Sequence, residues 1–498
     1  MENLYFSIPV LILCTAGFIC SYKLQLREKY TLSLLVLMAC GFLLRMYTAS
    51  DGYLHPWDER YHALVAKNLT FHPLIPTLYD NPVLPADNFS WVGSHIWLHK
   101  QPLPLWAMSG SMCLFGFNEI ALRLPSIILT TLGIWLTFSL ATFFFNKKTG
   151  WLAAFFYAIN GLIIEITAGR VATDHIDAFF LFFVSLSVYF AIKFVKSPHF
   201  GYNLLCGVAL GAAILCKWLP ALIVLPVWIL LVKDSGRFRL QNAVFHFLLL
   251  CVTSIVVFLP WQLYIHHVFP AEAAWESGFN MKHITEVLEG QTGPFYYFLD
   301  KIRINYGELI YLPLAWFIWV SLKRPVNLKY LALLTWFGIP FLFFSAIMTK
   351  MQGYILFTAP VLFMITGEFW QRMNEFGKGQ RHKWLFYVLL LALIALPVRY
   401  SLERMKPFSA NERHPLWVQE LKALGRVPVE KGILLNYSYP VEAMFYTSLT
   451  AYDYVPETRI LQNLATRGYT LIINEGNNID PEIRKLPGVV FFRFSEKN

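Results

Sequence analysis

The sequence predicts an all-α polytopic membrane protein with about twelve transmembrane helices, a large first extracytoplasmic loop and a small C-terminal α/β domain. Three observations predict it. Hydrophobic residues make up 56% of the 498 residues and charged residues only 14%, against about 25% charged in a soluble domain. The apolar residues gather into long runs separated by short charged clusters. From residue 402 that pattern stops, and short apolar stretches alternate with amphipathic ones.

The apolar runs place spans near residues 6–22, 31–48, 124–145, 150–167, 175–194, 202–216, 218–232, 243–266, 305–322, 329–349, 352–371 and 384–401. The first is expected to be a helix and not a signal peptide. Met1-Glu2-Asn3 has no positive charge, and no small-residue cleavage site follows. The loops between spans alternate in charge. One set is basic: Lys23/Arg27/Lys29, Lys147/Lys148, Lys193/Lys196, Lys233/Arg237/Arg239, Lys323/Arg324/Lys329 and Arg372/Lys378/Arg381/Lys383. The positive-inside rule makes these cytoplasmic. The outer set is then 49–123, 168–174, the turn at 217, 267–304, 350–351 and the tail from 402. The run 203–232 is split at Lys217-Trp218-Leu219-Pro220 to keep the alternation, and Pro220 suits a helix start. Residues 103–117 are apolar but short, and read as interfacial or re-entrant. The net charge of +10 is therefore topological, and no nucleic-acid partner is expected. The seven cysteines lie almost entirely in apolar segments without a CxxC pair, as inert core residues do.

Residues 1–401 thus form the membrane domain, and residues 402–498 an extracytoplasmic α/β domain. In the latter the pattern predicts helices at 414–424, 441–449 and 457–467, and strands at 432–436, 450–454, 470–473 and 489–494. It has no glycine-rich phosphate loop, so it reads as an accessory, acceptor-contacting or purely structural domain.

The chemistry gathers on the outer side. The stretch from Tyr53 to His62 puts Asp58, Glu59 and Arg60 where the chain leaves a span. A solvated helix start explains them as well, with Asp58 as N-cap and Glu59 in the first turn. Further carboxylates at span ends are Asp174 and Asp177; cations are Lys100, Arg123, Arg170, Lys217 and Lys350. Such groups beside hydrocarbon are costly unless paired or facing an aqueous cavity. A base beside a phosphate clamp suits group transfer from a lipid-linked phosphate donor, which already carries its leaving group. His95 and His99 stand four apart, as zinc ligands on one helical face can, but the sequence places no third ligand. Three sequons (Asn68-Leu69-Thr70, Asn88-Phe89-Ser90, Asn436-Tyr437-Ser438) fall on the outer side, and are chance matches in a bacterial chain.

From about residue 40 to 370 the chain resembles the GT-C membrane glycosyltransferases of the protein O-mannosyltransferase and lipid A aminoarabinose transferase type. Trp57-Asp58-Glu59 resembles the acidic pair of that family's first outer loop. His99-Lys100-Gln101-Pro102-Leu103 and Ala121-Leu122-Arg123-Leu124-Pro125-Ser126 resemble its next two motifs. Gly169-Arg170-Val171-Ala172-Thr173-Asp174 is similar to its second acidic motif, and Leu215-Cys216-Lys217-Trp218-Leu219-Pro220 to a lysine-glycine-proline turn. Gly293-Pro294-Phe295-Tyr296-Tyr297 and Thr349-Lys350 through Tyr354 complete the set in order. The chain departs from the pattern at Arg60, which follows the acidic pair without the usual spacer, at Gln101 for proline and at Trp218 for glycine.

The resemblance implies an inverting transferase on a GT-C scaffold. It would move a sugar from a polyprenyl-phosphate donor to a lipid A, glycan-lipid or protein acceptor, at the periplasmic face of a bacterial inner membrane. Asp58, with Glu59 and Asp174, would form the catalytic set, Asp58 as base and Asp174 orienting acceptor, sugar or cation. Lys100, Lys217, Lys350 and Tyr354, with Arg60 and Arg170, would hold the donor phosphate. No cofactor is required on this reading, with a divalent metal as an open alternative and His95 and His99 its weak candidate ligands. The rival class is a transporter or flippase of lipid-linked sugars, which would show internal repeats and polar groups at the membrane midplane.

Overall fold

The computed structural model describes residues 2–85, 90–172, 174–323, 325–410, 412–475, 479, 482–486 and 488–495. Thr173 of the second acidic motif, Arg324 of one basic loop, and Asn88 and Phe89 of a sequon lie outside the described residues. Among the described residues, nine helices are long and apolar enough to cross a membrane: Asn3–Leu26, Tyr30–Thr48, Glu119–Phe144, Asp174–Lys196, Phe200–Lys217, Leu240–Val268, Leu328–Ala346, Gln352–Gly377 and Lys383–Met405. A tenth is the pair Lys147–Ile159 and Gly161–Thr167, bent by 50°. The bend has a local cause. Asn160 ends the first helix and caps the second, accepting the Ile163 N–H at 3.0 Å. Its amide also donates to the Asn305 carbonyl at 2.7 Å.

The remaining two expected spans are helical but shorter. One is Glu308–Leu322. The other runs as a 3-10 turn Leu219–Ile223 into the helix Val224–Ser235. The expected break after Lys217 is present: helix Phe200–Lys217 stops there, and Trp218 takes a left-handed φ of 62°. Residues Pro102–Phe115 form a helix of 14 residues, shorter than the roughly twenty that a span needs.

The chain clusters into two compact units. The first comprises residues 1–49, 100–104 and 125–410, and holds most of the apolar helical chain. A buried charge within it needs internal partners, as hydrocarbon requires. Arg45, fully buried, donates to Thr130 Oγ1 at 3.0 Å, the Gly41 carbonyl at 2.9 Å and the Ala158 carbonyl at 3.2 Å.

The second unit comprises residues 50–99, 105–124 and 411–498, so most of the first outer loop clusters with the C-terminal residues. Its sheet has four parallel strands: β1 Gly432–Leu435, β2 Thr450–Ala451, β3 Thr470–Asn474 and β4 Val489–Phe492, in the order β2-β1-β3-β4. Parallel pairing needs crossovers. Helix Pro440–Tyr446 joins β1 to β2, and helix Thr458–Thr466 joins β2 to β3. The apolar runs of β1 and β3 are buried, as central parallel strands require. They share one core with Tyr61, Leu64, Val65 and Trp97 of the first outer loop.

Candidate active site

In the second unit the acidic motif opens helix Asp58–Leu69. Trp57, not Asp58, holds the N-cap position, with φ 71° and ψ −143° and no side-chain cap bond. This corrects the alternative that Asp58 is itself the cap. Asp58 is the first helical residue and is about nine-tenths buried. The positive end of the helix dipole favours an anion there.

Glu59 is fully enclosed. Its Oε1 accepts Arg123 Nε at 2.6 Å, and its Oε2 accepts Arg123 Nη2 at 2.9 Å and the His55 N–H at 2.7 Å. Arg123 also donates to the carbonyls of Asp51 at 2.5 Å and Tyr53 at 2.6 Å. A carboxylate held by a two-pronged guanidinium is a poor base. Glu59, expected in the catalytic set, thus has both carboxylate oxygens engaged. His55 Nε2 lies 3.3 Å from Asp51 Oδ2, and burial pushes the imidazole below its ordinary range.

Arg60, expected among the phosphate ligands, meets Tyr61 and Glu442. Its guanidinium lies 5.0 Å from the Tyr61 ring centre and 3.4 Å from Glu442 Oε1. Lys67 carries a role that sequence reasoning missed. Its ammonium donates to the carbonyls of Met444, Phe445 and Thr447 at 2.7, 2.9 and 2.8 Å, closing the end of helix Pro440–Tyr446. Burial pushes that ammonium down to about 8. A lone lysine in a helical pattern gave no signal for this contact.

In the first unit Asp174 opens helix Asp174–Lys196, fully buried, and its carboxylate accepts the His175 N–H. One turn along the same helix, Asp177 accepts the Lys217 ammonium. Lys217 is the last residue of its helix, and its ammonium stands 5.0 Å from the Tyr354 ring centre. Tyr354 in turn packs on Phe344 at 5.3 Å. The structure thus brings two of the expected residues, Lys217 and Tyr354, into contact, and adds Asp177 on the lysine, which was a boundary carboxylate in the sequence and not a chosen site residue. The signal was available: Asp174 and Asp177 stand three apart, on one face of a helix.

Lys350 is buried and donates to the Ile347 carbonyl at 2.5 Å. Lys100 is half-buried. Burial, and more weakly the Lys100 charge, push the His283 imidazole below its ordinary range. Arg170 donates to the carbonyls of Arg404 at 3.4 Å and Met405 at 3.1 Å, which makes it a cap on helix Lys383–Met405.

The two weak metal candidates have other contacts. His95 Nδ1 lies 2.5 Å from the Tyr79 carbonyl oxygen, and the His99 ring stacks on Trp91 at 4.8 Å. Among the described residues no group of three or more His, Cys, Asp or Glu side chains is arranged to hold a metal ion.

The chain matches the dolichyl-phosphate-mannose-protein mannosyltransferase family over residues 99–264. It is 29% identical over 282 residues to undecaprenyl phosphate-alpha-4-amino-4-deoxy-L-arabinose arabinosyl transferase 1 of Pseudomonas fluorescens, covering 54% of this chain and 48% of the relative. It is 30% identical over 257 residues to the corresponding transferase of Yersinia pestis, covering 50% of this chain and 46% of the relative. The chain therefore spans about half the length of these curated relatives. Among solved structures, ArnT from Cupriavidus metallidurans bound to undecaprenyl phosphate aligns with TM-score 0.62 at 18% identity over 87% of both chains. The archaeal oligosaccharyltransferase AglB from Archaeoglobus fulgidus aligns with TM-score 0.55 at 13% identity, over 85% of this chain and 64% of that one. The fold is therefore that of the GT-C membrane glycosyltransferases, and the resemblance read from the motifs is borne out.

Proposed function

We propose that this protein is an inverting membrane glycosyltransferase. It moves a sugar from a polyprenyl-phosphate carrier to an acceptor at the periplasmic face of a bacterial inner membrane. The observation that carries this reading is where the charged residues sit. Asp58 and Asp174 are the first residues of their helices, Lys217 is the last of its own, and Lys350 lies between helices Leu328–Ala346 and Gln352–Gly377. Chemistry at helix ends suits an enzyme at one membrane surface, whereas a transporter places its polar groups at midspan. The named relatives act on an undecaprenyl-phosphate-linked amino sugar, which makes that class the first donor to supply.

In this reading the acceptor hydroxyl or amine gives its proton to Asp58 and attacks the anomeric carbon. The bond from that carbon to the phosphate oxygen breaks, and the carrier phosphate leaves. Lys217, held by Asp177 against the Tyr354 ring, neutralises the leaving phosphate, with Lys100 and Lys350 as further cations. Asp174 orients the acceptor or the sugar. Glu59 and Arg123 hold the turn that presents Asp58. On this reading no cofactor is required, and a divalent metal is the open alternative.

The test is Asp58→Asn in purified full-length protein, assayed with undecaprenyl-phosphate sugar and lipid A by mass spectrometry. Loss of a positioned general base lowers turnover about 10²–10⁴-fold, with the unfolding temperature unchanged. Full transfer by this variant would remove Asp58 from the mechanism. Comparing lipid A and glycoprotein masses with and without the gene then identifies sugar and acceptor. No change in either pool would favour a transporter.

A further inference from the structure

The second unit contains a pocket of about 340 Å³ built from its own residues, outside the acidic motif's ion-pair network. That volume lies within the roughly 300–1,000 Å³ of small-molecule sites. Four of its lining residues are tyrosines: Tyr61, Tyr79, Tyr452 and Tyr454. Tyr79 and Tyr452 stack at 5.3 Å with an interplanar angle of 16°, and Tyr454 stands edge-on to Tyr452 at 5.9 Å. The wall is braced. Tyr452 Oη accepts the N–H of Val83 at 2.9 Å and of Leu84 at 3.0 Å, which ties the first outer loop to the sheet. Arg60, lying over the Tyr61 ring, and Asp453 contribute one charge of each sign.

We infer that this pocket is a binding site for a neutral saccharide. The exposed Tyr454 ring, backed by the stacked Tyr79 and Tyr452, offers an aromatic face to the C–H face of a pyranose ring. The phenols, the guanidinium and the Asp453 carboxylate supply directional partners for its hydroxyls. A lining with one charge of each sign disfavours a phosphate or another strongly anionic group. The site also gives Arg60 its role: one residue beyond the acidic pair, it turns to the saccharide and not to the donor phosphate. That the saccharide belongs to the acceptor rests on the transferase reading; the binding site does not.

The experiment uses the full-length protein in detergent, without donor. Saturation-transfer NMR is run with N-acetylglucosamine, methyl mannoside and chitobiose. At least one binds saturably to the wild type. Tyr454→Ala and Arg60→Gln each weaken that binding about tenfold, while Tyr454→Phe keeps most of it and the unfolding temperatures stay put. No saturable binding of any of the three sugars would overturn the proposal, as would binding unchanged in both loss variants. Displacement of the variant-sensitive signal by a proline-rich peptide that binds more tightly than every sugar would assign the pocket to peptide instead. Because no sugar donor is present, these outcomes stand whether or not the protein proves to be a transferase.

Discussion

Two ion pairs, each a carboxylate with a cation distant in the chain, differ in their enclosure. Glu59–Arg123 has both side chains fully enclosed. Lys217–Asp177 leaves the lysine side chain 20% exposed and the aspartate 2%. Each pair includes a residue close to a tryptophan with positive φ: Trp57 at 71° and Trp218 at 62°. The closed pair has no face left for a ligand, and every arm of its guanidinium is bonded within the second unit. The open pair holds a cation by one carboxylate and one aromatic ring, and leaves part of it to solvent. Enclosure, not charge, separates the two pairs.

The sharpest way to break the comparison is to cut the closed pair. Arg123→Ala strands the Glu59 carboxylate in a dry site, a change that destabilises by about 3–5 kcal/mol. Thermal unfolding in detergent reads it as a large fall in midpoint. Arg123→Lys recovers only part, because a lysine cannot match the two-pronged geometry. A midpoint unchanged in Arg123→Ala would mean that the pair is not the anchor described.

Cutting the open pair has a different signature. Lys217→Gln removes a charged hydrogen-bond donor worth about 1.5–3 kcal/mol to an anionic ligand, so the KM for the polyprenyl-phosphate donor rises about ten- to a hundredfold. The double change Lys217→Gln with Asp177→Asn restores the unfolding midpoint, because no charge is left alone, but leaves the donor KM high. If the double variant restored the KM as well, Lys217 would be only a partner for Asp177.

A smaller effect separates the regions by pH. Burial holds the His55 imidazole below its ordinary 6.5, so the folded protein keeps it neutral where the unfolded chain takes up a proton. Stability from this group is full above 6.5 and falls as pH drops from 6.5 towards the folded value. His55→Gln should flatten that part of the wild-type curve. An identical pH profile in the two proteins would remove His55 as the cause.

Much of this was legible in the sequence. The break at Lys217-Trp218-Leu219-Pro220, the helix starting at the acidic motif and all four C-terminal strands follow from apolar periodicity, proline and loop charge. What stayed hidden were partners far apart in sequence. Nothing local tells Glu59 that Arg123 will enclose it, or Arg60 that Glu442 will face it. The order of charged residues fixes which helix ends carry chemistry. Tertiary contact decides how each of those charges is held, as Arg123 holds Glu59 in a fully enclosed pair.

The two tryptophans give the finest test. Both have ψ near −145° with positive φ, a region that side chains bearing a Cβ enter at a cost of about 1–3 kcal/mol. At Trp218 the related motif has glycine, so the backbone shape is kept while the residue that suits it is not. Comparing Trp218→Gly with Trp218→Ala isolates the backbone, since both lose the indole. Glycine should be the more stable of the two by about 1 kcal/mol, despite its larger unfolded-state entropy. The same comparison at Trp57 should give the same sign. Equal stabilities at both positions would show that neither turn is strained. A difference at Trp218 alone would mean that strain accompanies the open ion pair and not the closed one.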